Sequence, residues 1–279
     1  MIGSRSKTNY ILNKYNYRAK KKFGQNFIVE PNIINKVVDQ IDKDSTIIEI
    51  GAGLGAITQA VAEKVKKVTA YEIDSDLVEI LNENLKEYKN IKIVNEDFLK
   101  IDLEGLLDSY NQKVTIVSNL PYYITTELLT KVLLSSDKID KIIVMMQKEV
   151  ADRFTKNEKG KDYNVLQVMA EYYCDVKVLT KVSKNNFIPV PEVNSEILIF
   201  EIKENCNKVE DEKLLFDIVK ACYSQRRKMI ISNLNNNGFV IDKKQLLDIG
   251  IDPASRVEQL ELEDYQKIYN LIIEEVESQ

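Results

Sequence analysis

Three short stretches carry side chains that could do chemistry, and each follows a short β-branched run. The first is Glu49-Ile50-Gly51-Ala52-Gly53-Leu54-Gly55, set between an apolar run and a helical pattern. Glycines at such a junction let the backbone turn tightly and approach a ligand whose polar groups face a helix N-terminus. Gly51, Gly53 and Ala56 satisfy the spacing G-x-G-x-x-G/A, and Glu72 ends the next run, about 20 residues on. A glutamate there can hold both hydroxyls of a ribose. Asn95-Glu96-Asp97-Phe98 ends the third run. Asp97 can accept from an adenine amino group and Phe98 can cover the ring; the plainer reading of Asp97 is a loop carboxylate or helix cap. Together the three ends describe a nucleotide or nucleoside crevice rather than a turn kept for packing. The glycine loop alone leaves NAD and S-adenosylmethionine both open.

Asn119-Leu120-Pro121-Tyr122 follows the fourth run directly. A hydride-transfer site has no use for Asn-x-Pro-aromatic here, but transfer of a methyl group to a planar exocyclic amine does. The lone pair of such a nitrogen is delocalised into the ring. Hydrogen bonds accepted from the amino group by the Asn119 side-chain oxygen and the Leu120 carbonyl favour a pyramidal nitrogen. Pro121 stiffens the turn and Tyr122 can stack on a flipped base. With an activated methyl donor, alignment supplies most of the acceleration. The competing reading makes Asn119 a helix cap and Tyr122 a core residue.

What is missing narrows the chemistry further. The 279 residues contain no His, which removes Ser-His and Cys-His nucleophile pairs and His-ligated zinc, and no metal is expected. Cys174, Cys206 and Cys222 fit neither a CxxC clip nor a disulfide framework, so a reducing compartment is expected. No apolar run approaches a membrane span, and the basic N-terminal stretch lacks a secretory apolar core. These features predict a soluble, cytoplasmic protein. Its charge is uneven. The net value is −5, yet residues 1–30 carry seven basic residues and one acid, +6, leaving −11 for the rest. Tyr10, Tyr15, Tyr17 and Phe23 interleave with those cations, a combination that suits phosphates and bases. A second cluster, Gln225-Arg226-Arg227-Lys228, falls in a predicted helix. The bland reading of both is a solubilising tail and a wet helix face.

The elements that must position these residues alternate in the α/β manner from about residue 32 to 203. Strands are predicted at Thr46–Ile50, Lys67–Glu72, Ile91–Val94, Val114–Ser118, Lys141–Met146, Val176–Val182 and Glu196–Ile202. Helices are predicted at 32–41, Ala56–Lys64, around Leu77, Leu81 and Leu85 with a start at Asp76, at Glu127–Leu134 and at Val165–Tyr173. Beyond about Glu204 the pattern is helical, over 211–234 and 262–277 with a short helix between. The expected divisions are a flexible basic arm at 1–20, a ligand-binding domain at 21–204 and a helical C-terminal domain at 205–279.

Lys21-Lys22-Phe23-Gly24-Gln25-Asn26-Phe27, the glycine loop, Asn119-Leu120-Pro121-Tyr122, Gln147-Lys148-Glu149-Val150-Ala151, Phe187-Ile188-Pro189-Val190-Pro191 and Ser224-Gln225-Arg226-Arg227-Lys228 fall in order. Jointly they are very specific, and from about residue 20 to 272 the chain resembles the bacterial small-subunit ribosomal RNA adenine dimethyltransferases. The resemblance implies a Rossmann-like S-adenosylmethionine-dependent domain with a mostly parallel seven-stranded sheet and a small all-helical C-terminal domain. It implies transfer of four methyl groups to N6 of two adjacent adenosines, in the 3′-terminal hairpin loop of 16S rRNA. The partner implied is an immature small subunit; no membrane is involved, and a monomer is expected. Position by position it places the cofactor against Asn26, Ile28, Gly51, Glu72, Asp97 and Asn119, to which the reading of the residues themselves adds Gly53 and Phe98. It gives catalytic roles to Asn119, Leu120 and Tyr122 and, more loosely, a clamping role to Phe187, whose plain alternative is core packing. Lys20, Lys21, Lys22, Arg226, Arg227 and Lys228 become RNA contacts. Departures are modest: Ile28 stands for a usual Leu, Asn164 for Gly, and Asn194 and Glu196 for Asp and a small apolar residue.

Three rivals remain. The related macrolide-resistance enzymes methylate an adenine of large-subunit rRNA; Leu120 and the Arg226-Arg227-Lys228 segment favour the small-subunit group. A binding factor for ribosome assembly would make methylation secondary. An NAD oxidoreductase shares the glycine loop but leaves Asn119–Tyr122 unexplained.

Overall fold

The computed structural model describes residues 1–119, 124–155, 163–204 and 208–277. Two compact units divide the chain: Met1–Thr155 with Asp175–Ile202, and Lys156–Cys174 with Lys203–Gln279.

The first unit is built on a seven-stranded sheet. Its strands are β2 (Thr46–Ile50), β3 (Lys67–Glu72), β4 (Ile91–Asn95), β5 (Val114–Asn119), β6 (Ile139–Gln147), β7 (Cys174–Val182) and β9 (Ser195–Ile202), in the spatial order β4-β3-β2-β5-β6-β9-β7. The pairings β2 with β3 and β5, β3 with β4, and β5 with β6 are parallel; β9 runs antiparallel to β6. Every residue of β2 is buried, as a strand covered on both faces requires. The covering helices are α2 (Pro31–Asp39), α3 (Ala56–Ala62), α4 (Ser75–Leu85), α5 (Leu103–Asp108), α6 (Thr125–Leu133) and α7 (Lys148–Thr155). Leu77, Leu81 and Leu85 lie on the buried face of α4 as predicted, but the cap is Asp74, whose side chain accepts from the Asp76 N–H, two residues before the capping box expected at Asp76 and Glu79. Two-residue strands β1 (Phe27–Ile28) and β8 (Phe187–Ile188) pair antiparallel apart from the main sheet.

The basic arm departs from expectation. Residues Arg5–Lys14 form α1, capped by Ser4. Ile2 and Ile11 are buried in the core of the unit, and at Gly3 an added Cβ would collide with the Ile34 side chain. Two apolar side chains nine residues apart, among cations and Asn, offer too little periodicity for sequence patterning to register.

The second unit contains α8 (Val165–Tyr173), α9 (Glu212–Tyr223), α10 (Ile230–Asn236), α11 (Lys243–Asp248) and α12 (Leu262–Glu277). Helix α8 lies within the stretch expected to be α/β, yet its partners are α9 and α12. Tyr172 and Tyr173 set their rings against Phe216 and direct their hydroxyls to Glu212. The helix predicted over 211–234 is two helices, and the Gln225–Lys228 cluster lies in the connection between them. Among the described residues, no helix is long and apolar enough to cross a membrane, and no group of three or more His, Cys, Asp or Glu could hold a metal. Cys174 and Cys222 are buried; Cys206 lies outside the described residues.

Candidate active site

Chain order reverses at β2: β3 and β4 extend the sheet on one side, β5 and β6 on the other. The crevice beyond the carboxyl ends of strands at such a reversal is where open α/β sheets bind ligands. The parallel register aligns Ile50 with Ser118, so β2 and β5 deliver the glycine loop and Asn119 to the same edge. The Ser118 hydroxyl donates to the Ile50 carbonyl at 2.7 Å and holds the two ends together. The N–H groups of Gly51 and Ala52 both donate to the Tyr71 carbonyl, pinning the loop to β3.

Gly51 and Gly53 have φ of +78° and +59°, conformations that L side chains rarely adopt. Among the described residues, a Cβ on Gly51 would meet only the Asn119 carbonyl at 3.8 Å, whereas one on Gly53 would press to 3.3 Å from the Phe27 ring. The loop thus leaves open space on its Gly51 side. Gly53 also gives its N–H to Glu72 Oε2 at 2.8 Å, while Glu72 Oε1 accepts from the Asp74 N–H at 2.9 Å. Burial raises the Glu72 carboxyl above its usual range, opposed by those two N–H groups. Each oxygen keeps acceptor capacity for a further donor.

Asn26, Ile28, Gly51, Gly53, Glu72, Asp97, Phe98 and Asn119 all line one cavity of about 220 Å³. Phe98 packs edge-on against Tyr71, with ring centroids 5.1 Å apart. Asp97 Oδ1 accepts from the Leu99 N–H at 3.1 Å, and Oδ2 lies 3.4 Å from Lys100 Nζ. Asp97 is therefore both a turn cap and a wall of the cavity, two readings that the residue type had set against each other. The segment 23–28 supplies the opposite wall. Asn119 Nδ2 donates to the Asn26 carbonyl at 3.1 Å, and Asn26 Nδ2 to the Gly24 carbonyl at 3.0 Å.

Asp74 fastens that wall. Its carboxylate, almost wholly buried, accepts from the Tyr17 hydroxyl (2.7 Å), Lys20 Nζ (2.7 Å) and Gln25 Nε2 (2.9 Å). Burial pushes its pKa up, but those three donors outweigh burial and hold it below the usual carboxylate range. Neither Asp74 nor Gln25 was marked as a site residue by sequence reasoning; the available signal was their place, two residues beyond Glu72 and one before Asn26. Glu49, which the glycine motif contains without an assigned role, is buried against the same cavity, and its Oε2 has no hydrogen-bond partner among the described residues. Burial pushes its pKa up to about 8, with the Glu72 charge adding to the rise and Thr58 opposing it.

Other predicted positions fall elsewhere. Leu120 and Tyr122 lie outside the described residues. Phe187 is only 1% exposed and belongs to the hydrophobic core beside β1. Burial leaves it no face for a flipped base. Lys20 is held by Asp74 and Asp76 at 2.7 and 2.6 Å, whereas Lys21 and Lys22 are exposed. Arg226 is half-buried, donating to the Tyr163 carbonyl and lying over the Tyr223 ring, while Arg227 and Lys228 are exposed.

A family model described as ribosomal RNA adenine dimethylase matches residues 16–274. A protein from Bacillus mycoides named ribosomal RNA small subunit methyltransferase A is 39% identical, over 98% of this chain and 97% of that one. A Bacillus cereus protein of the same name is 38% identical over the same shares. Among solved structures, a dimethyladenosine transferase from Plasmodium falciparum superposes with a TM-score of 0.74 at 21% identity, covering 88% of this chain and 97% of that one. The 23S rRNA methyltransferase ErmE superposes at 0.68 with 23% identity, covering 89% and 100%. At these identities the two structures speak for the fold alone.

Proposed function

The chain belongs to the ribosomal RNA adenine dimethylase family, and from that premise we propose that it dimethylates N6 of two adjacent adenosines in the 3′-terminal hairpin loop of 16S rRNA. It is an rRNA adenine dimethyltransferase, and the relatives at 38–39% identity carry the small-subunit name. The large-subunit alternative has only low-identity likeness of fold behind it. The substrate form we infer is a small subunit still in assembly.

The residues of the cavity fit S-adenosylmethionine. The space beside Gly51, the unpartnered oxygen of buried Glu49 and the oriented carboxylates of Glu72 and Asp97 suit a ligand with a ribose, an exocyclic amine and positive charge. When bound, that cofactor supplies an electrophilic methyl group on a sulfonium. Glu72 would hold the ribose hydroxyls, Asp97 the adenine amino group and Phe98 the ring face, with Asn26 and Ile28 forming the opposite wall.

The observation that carries the reading is the orientation of Asn119. Because Nδ2 is committed to the Asn26 carbonyl, Oδ1 is the end left to accept a hydrogen bond from the target amine. With the Leu120 carbonyl as second acceptor, this would favour a pyramidal nucleophilic nitrogen, and Tyr122 would stack on the base. No strong base is needed, since nitrogen loses its proton readily once alkylated. Of the six cations proposed as RNA contacts, Lys21, Lys22, Arg227 and Lys228 are exposed and available to the RNA backbone.

The test is methyl transfer from labelled S-adenosylmethionine to small subunits purified from a strain lacking these dimethylations, mapped by primer extension. A paired stop at adjacent adenosines near the 3′ end, lost with Asn119→Ala, is the expected result. Label in large subunits would move the protein to the resistance-type enzymes. Cofactor binding with no label in either subunit would leave an assembly factor.

A further inference from the structure

Lys131 sits near the end of α6, the helix that follows Asn119 and the segment after it. Its ammonium gives hydrogen bonds to three backbone carbonyls of a single turn: Phe98 at 3.1 Å, Leu99 at 2.8 Å and Ile101 at 2.6 Å. An ammonium has three protons, so its donor capacity is spent on this turn. Burial lowers its pKa, opposed by the charges of Asp97, Asp102 and Glu127. The Phe98 ring lies 5.9 Å from the same nitrogen.

The turn so held is the wall of the cavity that contains Asp97, Phe98 and Leu99. The contact passes straight to the carboxylate. The peptide joining Phe98 to Leu99 accepts from Lys131 through the Phe98 oxygen, and its N–H, that of Leu99, donates to Asp97 Oδ1. Without the cation, three inward-facing carbonyls would lose their donor and the turn would be free to seek water.

We propose that Lys131 is a positioning residue for cofactor recognition: by clamping the 98–101 turn it sets the Asp97 carboxylate where it reads the amino group of the adenine. The proposal rests on the assignment of Asp97 to that amino group.

The experiment measures discrimination, which a general loss of stability does not alter. The intact protein is titrated calorimetrically with S-adenosylhomocysteine and with S-inosylhomocysteine, which has an oxygen in place of the amino group. A hydrogen bond to a charged acceptor predicts that wild type prefers the adenosyl ligand by about tenfold or more. Lys131→Met keeps the apolar stem and removes the donors. Its preference is expected to fall to about threefold or less, with the inosyl affinity changed less than the adenosyl one. Lys131→Gln, with two donors, should lie between, and it decides the matter if the methionine variant does not fold. A folded Lys131→Met that discriminates as wild type does would overturn the role of Lys131 alone. A wild type without preference would overturn the Asp97 assignment, and the proposal with it.

Discussion

Asn119 and Asn26, 93 residues apart in the chain, are joined by a hydrogen bond of 3.1 Å from the side-chain amide of the first to the backbone carbonyl of the second. The bond fixes which end of the Asn119 amide faces the cavity. Asn119→Asp is nearly isosteric but cannot donate, and it would set a carboxylate against the Asn26 carbonyl. Both Asn119→Asp and Asn119→Ala are expected to lower single-turnover methyl transfer by about 100-fold or more, the scale for losing a preorganised hydrogen-bonding group at the reacting centre. Wild-type transfer by the aspartate variant would show that the amide orientation is not needed.

The glycines of the loop should separate binding from packing. Gly53→Val forces a β-branched residue to a φ of +59° and drives its Cβ onto the Phe27 ring in the wall of the cavity. Its affinity for S-adenosylhomocysteine should drop at least about tenfold, for loss of about 1.4 kcal/mol or more. At Gly55 the added Cβ would instead lie 2.7 Å from Leu81 Cδ1 and 3.1 Å from Leu85 Cδ1, inside the packing of α3 on α4. Gly55→Ala should cost about 1–3 kcal/mol of stability, while the folded variant binds nearly as wild type. Calorimetry alongside thermal unfolding checks both, and an equal loss of affinity in the two would refute the separation.

The basic cluster of the second unit divides in the same way. Reversing Arg227 and Lys228 to Glu should weaken binding to small-subunit particles and reduce the slope of log K against log salt by about 1.4–1.8, roughly 0.7–0.9 for each lost phosphate contact. Arg226→Glu should act through stability, because the guanidinium is committed to the Tyr163 carbonyl and the Tyr223 ring. Filter binding over a salt series, with melting temperatures, distinguishes the two. Unaltered salt dependence in the double variant would remove these residues from the RNA contact.

Glu49 makes stability depend on pH in a stated direction. Its carboxyl titrates near 4.5 in an unfolded chain and at about 8 in the folded one. The folded state therefore holds a proton that the unfolded state has released, and the stabilisation is full below pH 4.5 and lost as pH rises through 8. The slope approaches about 1.4 kcal/mol per pH unit within that window. Glu49→Gln carries no titrating proton and should flatten this part of the profile. Denaturant unfolding of both proteins from pH 5 to 8 measures the difference, and parallel profiles would mean that Glu49 is ionised throughout.

Much of the first unit was legible because buried parallel strands read as short continuous apolar runs, and β2 through β5 punctuate theirs with the very residues that line the cavity. The strand ends at Gly51, Glu72, Asp97 and Asn119 meet because parallel register carries every carboxyl end to one edge. Tertiary decisions were not legible. No Gly or Pro falls within 211–234, so the sequence pattern reads one helix where Ser224–Met229 turn the chain. Helix α8 carries the same periodicity whether it faces a sheet or other helices, and only the Tyr172–Phe216 contact settles its partners. Asp74 and Lys131 act through hydrogen bonds to groups distant in sequence, 57 residues to Tyr17 and about 30 to the 98–101 turn. No local spacing encodes such pairs.

The placement of β9 has a consequence for how the sheet comes into being during synthesis. β9 lies between β6 and β7, aligned from Lys141 opposite Glu201 to Gln147 opposite Ser195. As the polypeptide leaves the ribosome, β2 to β6 emerge in an order that lets each find its neighbour, but β7 emerges before the strand that must separate it from β6. Until residue 202 is made, the flank of β6 that carries Ile142, Ile143, Val144 and Met145 has no lasting partner and must avoid pairing wrongly with β7 or with another nascent chain. Completion of the sheet is thus a late, single event, timed by translation of the last strand rather than by the growth of the first five.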